Sequence, residues 1–124
     1  MNGWWLRPSI SILLLSILIG CSTTNKVTKL IVADPISLER CHVLITDKAN
    51  PPTVSFQTLS KLETHIQRNF FFGGRASLND AYDELRLEAC KLGGNVVIVD
   101  DYIESSASEF SHIHVWATVL KTSQ

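Results

Sequence analysis

The chain has 124 residues, 45% of them hydrophobic, with eleven Lys/Arg against twelve Asp/Glu and a formal charge of −1. That is one domain's length, with a core of modest size. No basic stripe runs through it, and the Phe70, Phe71 and Phe72 run lacks the basic surround of a base-stacking platform, so nucleic acid is excluded as the expected partner.

The first twenty residues, MNGWWLRPSISILLLSILIG, carry one charged side chain, Arg7. Residues 9–19 are then Ile, Leu and Ser without a charge, the layout of an export signal. The stretch falls short of the roughly 20 apolar residues that span a bilayer, and Arg7 and Pro8 interrupt any longer count. It ends in Leu18-Ile19-Gly20-Cys21, which resembles a bacterial lipobox, a small residue before a cysteine. The resemblance implies a lipoprotein signal peptide over 1–20, cleavage after Gly20, and acylation of the Cys21 thiol with palmitate-type chains. Gly20 leaves room for a protease, and the cysteine supplies the nucleophile for lipid transfer. Each buried methylene contributes about 0.8 kcal/mol, so two or three acyl chains hold where one does not. Ser22 in place of Asp implies, by the sorting rules of diderm cells, the outer membrane, with the domain facing the periplasm. Residues 21–26 are polar and are expected to form a short lipidated tether. The competing readings are an ordinary signal, or an uncleaved anchor with Cys21 incidental.

Removing residues 1–20 leaves ten basic and twelve acidic side chains, a formal charge of −2. Two further cysteines remain, Cys41 and Cys90. An oxidising compartment permits a bridge between them, and two buried free thiols are the alternative. No CxxC motif points to redox catalysis.

Residues 27–121 are expected to form a single domain, with 122–124 as a tail. Residues 27–33 (VTKLIVA) predict a first strand, stopped by Asp34-Pro35. Residues 41–46 (CHVLIT) predict a second, followed by the proline-rich loop 47–53. Over 54–68 two periods compete. Val54 and Phe56 alternate like a strand, whereas Leu59, Leu62 and Ile66 fit a short helix, so an irregular strand and then a helical piece are expected. Phe70, Phe71 and Phe72, before Gly73-Gly74, read either as a plug at one end of the core or as an exposed docking patch. Residues 77–92 predict the main helix. Ser77 and Asp80 make a capping-box-like start, Leu78, Ala81, Tyr82, Leu85, Ala89 and Leu92 form one apolar stripe, and Gly93-Gly94 ends it. Residues 95–103 predict a central strand, 104–111 a polar loop, and 112–120 a last strand. In that strand Ile113, Val115, Ala117 and Val119 face one way, and His112, His114, Trp116 and Thr118 the other. The fold class is therefore α+β: a mostly antiparallel sheet of about four strands, one main helix and a short second one.

His112 and His114 share a strand face and, with His42 or His65, are the candidate metal ligands. No Cys or carboxylate stands at a tight ligand spacing beside them, so no metal and no cofactor is expected. Adjacent Asp100 and Asp101 would point to opposite faces of a strand and not pair for acid/base work. The two Gly-Gly pairs lack the Lys and Ser/Thr partners of a phosphate loop. No nucleophile–base arrangement can be assembled, and the chain is not expected to be an enzyme.

Residues 81–97 (AYDELRLEACKLGGNVV) resemble a pattern in which a helix with "A..LR..A" runs into "GAN.V" and then a strand. It is similar to small outer-membrane lipoproteins and, more distantly, to the lipoprotein sensor of the Rcs envelope-stress phosphorelay. In such proteins a cysteine stands near the start of an earlier strand, as Cys41 does. The Rcs-type sensor carries four cysteines in two bridges and a long Pro-rich tether, both missing from residues 21–124. The expected function is a membrane-anchored binding or structural module for an envelope protein, with Phe70, Phe71, Phe72, His112, His114 and Trp116 as docking candidates. The alternatives are stress sensing of the Rcs kind, or a metal-handling protein or enzyme.

Overall fold

The computed structural model describes residues 22–123; the expected signal peptide, Cys21 and the side chain of Phe72 lie outside the described residues. The elements are β1 (Ser22–Lys29), β2 (Leu44–Asp47), β3 (Phe56–Asn69), α1 (Phe70–Gly73), α2 (Leu78–Lys91), β4 (Val96–Ala107) and β5 (Phe110–Thr122). The α+β expectation holds, with a five-stranded mixed sheet in the order β1-β3-β5-β4-β2. β1, β3, β5 and β4 pair antiparallel, and β2 joins β4 in parallel.

One helix covers one face. Ala81, Leu85 and Ala89 of α2 are fully buried against Leu62 and Ile66 of β3, Val97 of β4, and Ile113, Val115, Ala117 and Val119 of β5. The N–H of Ser77 donates to Asp80 Oδ2 at 2.8 Å, and Arg68 at the end of β3 reaches Asp80 Oδ1 at 2.9 Å. The start of α2 is thereby fixed to the sheet. At its other end the Gly93 N–H donates to Cys90 O and the Gly94 N–H to Ala89 O, the two bonds of a Schellman cap. Gly93 takes φ +83°, and a Cβ there would lie 2.6 Å from Asp34 O. A Cβ at Gly94 would run into Val119 Cγ1 and Leu120 O. Cys41 and Cys90 are disulfide-bonded, joining the approach to β2 to the last turn of α2.

Several boundaries differ from the sequence reading. Residues 22–26, expected as a tether, are the first part of β1, paired with β3 from Ser22↔Gln67 onward. Asn25 holds them there: its Nδ2 donates to Glu84 Oε1 at 2.6 Å, and its Oδ1 accepts from Thr64 Oγ1 at 2.7 Å. β1 ends at Lys29, short of residue 33. In 41–46 only Leu44 onward is paired, and β2 runs to Asp47. The helical piece expected after residue 59 is absent, because β3 continues unbroken to Asn69. A bulge between Thr58 and Ser60 puts Leu59 out of alternation with Leu62, Thr64 and Ile66. Leu59, Leu62 and Ile66 consequently imitate a helical period. The short helix lies at Phe70–Gly73 instead.

The polar loop at 104–111 is a hairpin. β4 runs to Ala107, β5 starts at Phe110, and Ser108 turns the chain with φ 55°. Residues 101–109 are exposed, so the usual apolar mark of a strand is missing. β5 takes in Thr122, and Ser123 N–H donates to Ser55 O, so the expected tail is tied to the sheet. A second bulge between Val99 and Asp101 breaks the alternation assumed for Asp100 and Asp101.

Candidate functional site

The face of the sheet opposite α2 is covered by no element among the described residues. The long antiparallel strands β3, β5 and β4 line up their outward side chains on it. His65 stands across from His114, and Ile103 across from His114 on the other side. Glu63 and Asp101 flank Trp116 in the same way. Period-2 alternation alone places His112, His114 and Trp116 here, since Ile113, Val115 and Ala117 are spent on the core.

These side chains form a continuous ring stack. His65 Nε2 lies 3.1 Å from His112 Nδ1, and their rings are parallel with centroids 5.2 Å apart. His114 stacks on Trp116 with centroids 4.2 Å apart and 9° between planes, and tilts toward His65 at 5.7 Å. Glu63 Oε2 approaches His114 Nε2 at 3.5 Å. A shallow groove of about 460 Å³ runs along the rings, with Ile103, Ser105 and Ala107 of β4 as its opposite wall. Beyond Trp116, Lys61 Nζ donates to Thr118 Oγ1 at 2.7 Å, and Thr118 donates to Asp100 Oδ2 at 2.6 Å.

The electrostatics follow from this crowding. Burial lowers the His65 pKa below its ordinary value, and the neighbouring His112 and His114 lower it further. One proton bridges His65 and His112; two N–H groups cannot face each other at 3.1 Å. The face therefore sets four aromatic rings beside the carboxylates of Glu63 and Asp101.

Of the expected site residues, the structure brings His65, His112, His114 and Trp116 together and adds Ile103. His42 precedes β2 at the far edge of the sheet and does not join them. Among the described residues no group of three or more His, Cys, Asp or Glu side chains is arranged to hold a metal ion. Phe70 and Phe71 stand apart, at the end of the sheet. Phe71 is 80% exposed and so does not plug the core, while Phe70 is half-buried with the Arg75 guanidinium 5.8 Å from its ring centre.

The sequence reading missed a second cleft of about 600 Å³ where β2 ends beside the middle of β4. Asp47, Lys48, Tyr82, Asp100 and Tyr102 are among its lining. It exists only because β2 docks beside β4, a pairing that no local pattern encodes. Among the described residues no helix is long and apolar enough to cross a membrane. Compared with protein-family models, with curated proteins and with solved structures, the chain matches none.

Proposed function

We propose that the protein is a membrane-anchored lipoprotein of the outer membrane, facing the periplasm, whose uncovered sheet face docks onto an envelope protein. The observation that carries the docking role is the His65, His112, His114 and Trp116 stack beside the half-exposed Ile103. A sheet with one helix-covered face normally presents scattered polar residues on the other. Here that face concentrates rigid rings, which supply contact area at little cost in side-chain entropy, as interface anchors do. The anchor rests on the Leu18-Ile19-Gly20-Cys21 lipobox.

The anchor is tested with globomycin, which should make the unprocessed precursor accumulate; unchanged processing would refute lipidation. The docking face is tested by replacing His114 and Trp116 with alanine in the native lipoprotein and measuring partner capture in cells. Capture at the parental level would remove this face from the account.

A second reading is stress sensing of the Rcs kind. It is favoured by the resemblance across residues 80–99 and by the Cys41–Cys90 bridge leading into β2. With residues 22–26 paired in β1, however, the domain has no free tether. That holds it near its own membrane. A deletion strain with intact envelope-stress induction would dismiss this reading.

A further inference from the structure

The end of the sheet that carries Phe71 is also the end from which the chain enters the domain. Ser22 opens β1 opposite Gln67, and Asn69 is followed at once by α1. With a rise of about 3.3 Å per residue and strands about 4.8 Å apart, Ser22 and Phe71 lie within roughly 15 Å of each other. Cys21 is the next residue back, and its Cα can be only about 3.8 Å from that of Ser22. The β4–β5 turn lies at the same end, since Phe110 pairs with Asn69 and the Phe70 N–H donates to Glu109 O at 2.8 Å.

From this juxtaposition we infer that the α1 end of the sheet, with Phe71 at its tip, rests on the lipid surface that holds the Cys21 acyl chains. The inference depends on the lipoprotein reading above. Its reasons are the pairing of β1 with β3 from Ser22 onward and the covalent link from Ser22 to Cys21. Were residues 22–26 free, the domain could tumble above the bilayer. Instead they are paired along β3, and Asn25 is bonded to both Glu84 and Thr64. Acyl chains attached one residue earlier must then bring this end of the domain to the headgroups.

The chemistry of the end suits that position. Phe71 is an apolar ring exposed on a surface where a soluble protein gains nothing from it. Interfacial segments bury such rings at the boundary between headgroups and acyl chains. Arg75, exposed beside Phe70, offers a cation at the level of anionic headgroups. The His/Trp face begins at this same end, with His112 level with Gln67 and Ser22, and runs from there along β5 to Trp116, four residues further from the lipid.

The test uses the mature, acylated chain in vesicles of phosphatidylethanolamine and phosphatidylglycerol, with bromine on the lipid acyl chains. After removal of residues 1–20, Trp116 is the one tryptophan left, so Phe71→Trp adds a single reporter. The expected result is a blue-shifted contribution from position 71 that brominated lipid quenches, while Trp116 in the parent is not quenched. Intact mass is measured on the same sample. An unmodified Cys21 would overturn the anchor and the placement together. An acylated, vesicle-bound protein whose position 71 escapes quenching would overturn the placement alone. So would a photo-cross-linker at position 71 that captures an envelope protein in cells instead of lipid.

Discussion

His65 and His112 face each other across neighbouring strands with ring nitrogens 3.1 Å apart, on the sheet face opposite α2. Such a pair accepts one bridging proton but resists a further one, and His114 stands close enough to oppose it too. The pKa of His65 is lowered in the folded protein. Its contribution to stability is therefore complete above the unfolded value of about 6.5 and is lost as pH falls through the lower folded value. Thermal unfolding followed from about pH 8 to pH 5 should show stability declining on the acid side, and His65→Gln should flatten that decline. Superimposable profiles for the two proteins would contradict this account of the pair.

Trp116 stacks on His114 and belongs to the uncovered face, so Trp116→Ala should separate binding from folding. The lost stacking is expected to reduce stability by about 0.5–1.5 kcal/mol. A central aromatic anchor of an interface is worth about 2 kcal/mol or more, roughly thirtyfold in Kd. Once a partner is in hand, titration of both proteins against it measures the ratio.

Gly94 has no room for a side chain, because a Cβ would meet Val119 and the Leu120 carbonyl behind it. Gly94→Ala should therefore destabilise the fold by about 1–3 kcal/mol, the usual range for overpacking a core. Urea denaturation of the variant and the parent gives the difference directly.

The Cys41–Cys90 bridge closes a loop over a sequence separation of 49 residues. The loop-entropy relation puts its worth at about 4 kcal/mol. Cys90→Ala, or reduction with dithiothreitol, should lower the unfolding midpoint accordingly. Intact mass of the oxidised protein should show neither thiol free to alkylate.

Legibility in the sequence followed the local signals. The main helix could be read because Ser77 with Asp80, the Leu78 to Leu92 stripe and Gly93-Gly94 all agree on its ends. The last strand could be read because its ring-bearing and apolar residues alternate without interruption from His112 to Ala117. β3 was obscured by a single residue, Leu59, whose bulge turned a period of two into spacings of three and four. The β4–β5 hairpin was obscured because both of its faces are solvated, which makes a strand look like a loop. His112, His114 and Trp116 of the candidate site were visible in one strand's alternation. That His65 and not His42 joins them, with Ile103, depends on register between distant strands, which composition does not encode.

The docking claim is tested most directly by photo-cross-linking in cells from single positions of the full chain. A photoreactive residue is placed at position 114 on the open face or at position 83 on the solvent side of α2, where Asp83 is 92% exposed. The account predicts one dominant envelope protein captured from 114 and not from 83. Equal capture from both positions, or none from 114, would contradict it.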